Sequence, residues 1–120
     1  MTQEQVTQFL ELYTKFKRKC QVIADKLTRY DEDFCYVDDF TISGNTVECS
    51  GSYTVMNEWN NAYGTFDTKL LTYSTEEIDN YVDLLIEKRN KEKALEEMER
   101  EKAKLEADRK VYERLKKIFG

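Results

Sequence analysis

The sequence predicts an α+β protein, with an N-terminal amphipathic helix, a three-stranded antiparallel β-meander and a long C-terminal helix of coiled-coil character. Three observations carry this. Apolar residues recur every three and four positions at the start, the period falls to two in the middle, and no proline or glycine interrupts the stretch from Ser74 to about Ile118. With 120 residues the chain is long enough for one modest core. A single domain over 1–120 is therefore expected, with a helix over about 3–30, a meander over about 34–73 and a helix over about 75–118.

The first helix rests on Val6, Phe9, Tyr13, Phe16, Cys20, Ile23, Leu27 and Tyr30, which alternate strictly by three and four. This spacing keeps one stripe of a helix facing a partner. Thr2 or Gln3 is placed to start it, with Glu4 near the positive end of the helix dipole. Asp31, Glu32 and Asp33 are expected to end it, because acids are unfavourable at a helix C-terminus.

In the meander, Phe40 and Ile42 alternate with polar residues up to the turn pair Gly44-Asn45, and Val47, Cys49, Tyr53 and Val55 resume the alternation. Gly51 suggests a bulge. Asn60, Asn61 and Gly64 suggest a second turn, followed by a third strand beginning with Phe66, Thr68 and Leu70. Cys35 to Val37 is a candidate extra strand. Ser74-Thr75-Glu76-Glu77 is a capping box, in which the serine hydroxyl and the glutamate three residues on satisfy free amides at a helix start. Ile78, Tyr81, Val82 and Leu85 should cover a sheet face. Farther on, Leu95, Met98, Leu105, Tyr112, Leu115 and Phe119 form a thin stripe interrupted by Lys102 and Arg109. So thin a stripe needs a partner, either the N-terminal seam folded back or another subunit.

The net charge of -5 is unevenly spread. Residues 1–30 carry six bases and three acids; 31–74 carry eight acids and only Lys69; 75–120 carry thirteen acids and twelve bases. The acidic middle is also aromatic. Acids interleaved with amphipathic rings suit a basic surface, so Asp38, Asp39, Glu48, Tyr53, Glu58, Trp59, Tyr63 and Asp67 are the candidate partner-binding residues, with Trp59 expected to be exposed. The basic run Lys15, Lys17, Arg18 and Lys19, extended by Lys26 and Arg29, reads as a helix face complementing acids elsewhere in the chain. Direct nucleic-acid binding is not expected of so acidic a protein.

Chemistry is poorly served. Without histidine the common general base and nucleophile dyads are missing, and there is no phosphate-cradling glycine loop or nucleophile elbow. Asp38 and Asp39 are adjacent, so on a strand they would point to opposite faces. Cys20, Cys35 and Cys49 are too far apart for a zinc motif, and Asp31 to Asp33 lack the register of a calcium loop. No enzyme, cofactor or metal is expected. Three cysteines without an apolar leader fit a reducing cytosol, and no segment is apolar enough to span a membrane.

Self-association is expected through Val6, Phe9, Tyr13, Phe16, Ile23 and Leu27 of the first helix and Leu95, Met98, Leu105 and Tyr112 of the last. Where helices of two subunits meet, Arg109, Tyr112 and Arg114 are candidates to hold an anionic ligand such as a nucleotide.

The layout of aromatic helix, acidic meander, Ser74-Thr75-Glu76-Glu77 start and a Glu/Lys-rich helix ending in Val111-Tyr112-Glu113-Arg114-Leu115-Lys116-Lys117-Ile118-Phe119-Gly120 resembles small accessory proteins of bacteriophages and prophages. That resemblance implies a cytoplasmic role in a bacterial host. It favours an anti-defence inhibitor, of the anti-CRISPR kind, that binds a basic nucleic-acid-handling protein. Its alternatives are an oligomeric sponge for a nucleotide immune signal and a virion or scaffold component assembled through its helices. It assigns no functional residue.

Overall fold

A computed structural model of the protein describes residues 1–119. The chain, expected as one domain, divides into two units, Met1–Leu84 and a second beginning at Leu85. The element order is α1 (Gln3–Leu27), a 3₁₀ segment (Glu32–Tyr36), β1 (Asp39–Ser43), β2 (Thr46–Val55), β3 (Glu58–Asp67), a second 3₁₀ segment (Thr68–Thr72) and α2 (Thr75–Phe119). The α+β class is thus as the periodicities predict.

Both long helices start on capping boxes. Thr2 Oγ1 accepts from the Gln5 amide at 3.1 Å while Gln5 Oε1 accepts from the Thr2 amide at 2.9 Å. Ser74 and Glu77 exchange the same pair of bonds, each at 3.2 Å. Helix α1 ends at Leu27, before the acidic cluster: the Tyr30 and Asp31 amides both donate to the Leu27 carbonyl. Asp31 then caps the 3₁₀ segment by accepting from the Asp33 amide.

The strands form an antiparallel meander in the order β1-β2-β3. Gly44, at φ 62°, makes the two-residue turn from β1 to β2, where only glycine takes a left-handed conformation at little steric cost. The second turn is Met56-Asn57, both left-handed, which is the pattern of a type I′ hairpin. The expected turn at Asn60, Asn61 and Gly64 is therefore corrected. These residues lie inside β3, which is ten residues long and paired throughout with β2. Thr68 and Leu70 belong to a 3₁₀ segment and not to a strand, as do Cys35 and Tyr36. Gly51 makes no bulge, since its pairing with Ala62 continues the register.

The core of the first unit collects Cys20, Ile23, Ala24 and Leu27 from α1, Phe40, Val47, Cys49, Ala62 and Phe66 from one sheet face, and Phe34, Val37, Leu70, Ile78 and Val82 from the segments around them. Burying each large apolar side chain stabilises the fold by about 1.5–3 kcal/mol. The seam of α1 is thereby divided: Ile23 and Leu27 are buried in their own chain, so they are not available for self-association, whereas Val6, Phe9, Tyr13 and Phe16 remain half-buried or exposed. Lys26 pairs with Asp79 at 2.7 Å and Arg29 with Asp83 at 2.9 Å, joining the end of α1 to the start of α2. Those two bases serve as complements to acids, as their setting in the sequence suggests.

Candidate functional site

The strand register sorts the eight candidate docking residues. With Phe40, Val47, Cys49, Ala62 and Phe66 turned to the core, alternation turns Asp39, Thr41 and Ser43 of β1, Thr46, Glu48, Ser50, Ser52 and Thr54 of β2, and Trp59, Asn61, Tyr63, Thr65 and Asp67 of β3 to the other face. Across the three strands this face reads in rows: Asp39 beside Ser50 and Tyr63, Thr41 beside Glu48 and Thr65, Ser43 beside Thr46 and Asp67. Beyond β1 the hairpin continues with Ser52 beside Asn61 and Thr54 beside Trp59. Five of the candidates, Asp39, Glu48, Trp59, Tyr63 and Asp67, thus share one face.

The other three are elsewhere. Tyr53 turns to the core face, where its ring stacks on Tyr36 with centroids 4.0 Å apart. Glu58 lies opposite Val55 at the hairpin tip, in register with that same face. Asp38 precedes β1, its amide donating to the Ser50 carbonyl at 3.0 Å.

The shared face is mostly exposed, polar and negative, with Thr46 and Glu48 half-buried. Trp59 is 78% exposed and Tyr63 58%, while the residues between them are serines, threonines and asparagines. No lysine or arginine occurs between Arg29 and Lys69, so no strand supplies a counter-charge. Two of its carboxylates also brace the backbone: Asp39 Oδ1 accepts from the Phe40 amide at 3.0 Å, and Asp67 Oδ1 from the Lys69 amide at 2.9 Å. Glu48 is the central acid.

A second feature lies on the same unit. Phe9, Leu12, Tyr13 and Phe16 of α1, Phe40 and Ile42 of β1, and Leu71 line an apolar groove of about 800 Å³, with Lys15, Lys19 and Asp39 also on its lining. The Lys19 ammonium donates to the Tyr73 carbonyl, and Lys17 sits 5.7 Å from the centre of the Tyr13 ring. The exposed part of the α1 seam therefore faces a groove beside the edge strand. Sequence periodicity finds Phe9, Tyr13 and Phe16, but it does not show that Leu12, Ile42 and Leu71 complete a hollow, because these come from three separate elements.

In the second unit, α2 alone does not gather the expected anion-binding set. At about 100° per residue, Arg114 stands about 160° around the helix from Tyr112, and Arg109 is engaged by Glu113 at 3.3 Å. Leu95, Met98, Leu105 and Tyr112 are all exposed.

Among the described residues no polar or charged side chain is buried. Among the described residues the groups pushed away from their ordinary range are the buried thiols of Cys20 and Cys49, raised by loss of hydration. No helix among the described residues is long and apolar enough to cross a membrane. Comparison with protein families, curated proteins and solved structures found no match to this chain.

Proposed function

We propose that the protein is a non-enzymatic docking module whose outer sheet face binds a basic macromolecular surface. One observation carries the reading: a continuous, solvent-facing sheet surface bears three carboxylates and two large amphipathic rings and has no cation on any strand. Such a face attracts a positively charged partner over a Debye length and repels nucleic acid. Tyr63 and Trp59 provide contact area at low conformational cost. Together with the resemblance to phage accessory proteins, this favours a host protein whose own nucleic-acid site is basic, and an inhibitory role in which the acidic face occupies that site.

The test is binding to a panel of bacterial nucleic-acid-handling proteins at low and high salt. Glu48→Lys with Trp59→Ala is the informative variant, because neither side chain braces the backbone. Binding that weakens with salt, is competed by nucleic acid and is lost in this variant, while the melting temperature holds, is the expected result. A complex that forms equally well with the variant removes the sheet face from the reading.

A further inference from the structure

We infer that residues 95–119 of α2 form an antiparallel pair with the same segment of a second copy. Met98, Leu105, Tyr112 and Phe119 recur every seven residues, and Leu95, Lys102, Arg109 and Lys116 recur every seven residues between them. Together they are the two core positions of a heptad. The apolar members are exposed, Leu105 at 69% and Phe119 at 83%. The segment is helical throughout, and a helix in a protein draws most of its stability from packing its apolar face, which here has no partner within the segment itself.

A second copy is the occupant because the seam is self-complementary, which is what a two-fold interface requires. Reversed about Ala107, Leu95 meets Phe119, Met98 meets Lys116, Lys102 meets Tyr112, and Leu105 meets Arg109. Every cation then faces an apolar or aromatic side chain, over which its alkyl stem can lie while the charged head reaches outward. Flanking positions Glu99, Glu106 and Glu113 on one side, and Glu101 and Asp108 on the other, supply the carboxylates those heads need. In a parallel, in-register pair, Lys102, Arg109 and Lys116 would each stack on their own copies, giving three like-charged layers. The flanking acids face acids in either orientation, so the cation layers decide it.

The experiment uses the full chain. Light scattering over a concentration series should show twice the chain mass at high concentration, and Leu105→Glu should raise the concentration needed for association by roughly tenfold or more. Orientation is read by disulfide trapping in a Cys35→Ser background, which removes the exposed thiol. Chains carrying Met98→Cys and chains carrying Lys116→Cys should cross-link when mixed under mild oxidation, and neither should cross-link alone. A monomer at every concentration, a mass above the dimer, or a dimer indifferent to Leu105→Glu overturns the interface. Cross-linking of either variant with itself, or a dimer in which the mixed disulfide fails to form, overturns the antiparallel register.

Discussion

The ring of Phe34 occupies the space that a β-carbon on residue 64 would need: such an atom would stand 2.6 Å from Phe34 Cζ. Gly64 is therefore a seat for the 3₁₀ segment and not a turn residue. Gly51 is the second seat, where an added β-carbon would lie 2.9 Å from Val37 Cα and collide with the Tyr36 carbonyl. Gly64→Ala should cost about 1–3 kcal/mol by overpacking. Gly51→Ala should cost more, because its obstacle is backbone while Phe34 is a side chain that can turn. Urea denaturation of both variants measures this. In a cycle with Phe34→Ala, the Gly64→Ala penalty should largely vanish.

The β2–β3 turn carries a steric cost that can be removed. Met56 has φ 51° and is 94% exposed, so its left-handed backbone is offset by no packing of its side chain. A left-handed conformation costs an ordinary L-residue about 1–2 kcal/mol, and type I′ turns favour Asn followed by Gly. Met56→Asn together with Asn57→Gly should raise stability by about 1 kcal/mol, with a melting temperature higher by roughly 4 °C. Calorimetry decides it: an unchanged or lower melting temperature would mean that the turn holds no removable strain.

The same turn shows what the sequence conveys and what it withholds. The three-four spacing of α1 and the Ser74 capping box were legible because helix signals are local. The Met56-Asn57 turn was not, since methionine is a poor turn residue and the glycine that ought to mark a turn sits at Gly64, where it admits Phe34 from a segment thirty residues away. Of the docking candidates, Asp39, Glu48, Trp59, Tyr63 and Asp67 share a face only because the register starts from the true turn. Tyr53 leaves the set for a local reason, since it alternates in phase with the buried Val47 and Cys49 and so turns to the core face, where it stacks on Tyr36.

The three thiols should separate cleanly by chemistry. Cys35 is exposed, whereas Cys20 and Cys49 are buried. Burial pushes the Cys20 thiol up to about 11, and burial together with the neighbouring Cys20 pushes Cys49 up to about 12. Because the thiolate is the reactive form, a disulfide reagent at about pH 8 should modify Cys35 alone in the native protein and all three in denaturant. Both folded-state values lie above the ordinary 9.0. The fold therefore keeps these groups neutral, and their contribution is intact below about pH 9 and lost as pH rises toward 11 and then 12. Denaturation midpoints should fall over that alkaline window, less steeply in Cys49→Ala. A native protein that titrates three thiols at pH 8 would contradict the burial.

Trp59 provides a direct reading of the docking face. It is the single tryptophan in the chain and stands 78% exposed on β3, in line with Tyr63 and across from Thr54. In the free protein its emission should resemble indole in water, and acrylamide should quench it with little hindrance. Unfolding should barely move the emission, because the ring is already hydrated in the folded state. Binding of a basic partner on the acidic face should do the opposite, shifting emission to the blue and protecting the ring, since interface aromatics bury much of their surface when they dock. A Glu48→Lys chain should keep the free-state spectrum and lose the shift. If a confirmed partner binds while Trp59 stays fully quenchable, then contact is made elsewhere on the first unit, and the apolar groove beside Phe9 and Tyr13 becomes the surface to substitute next.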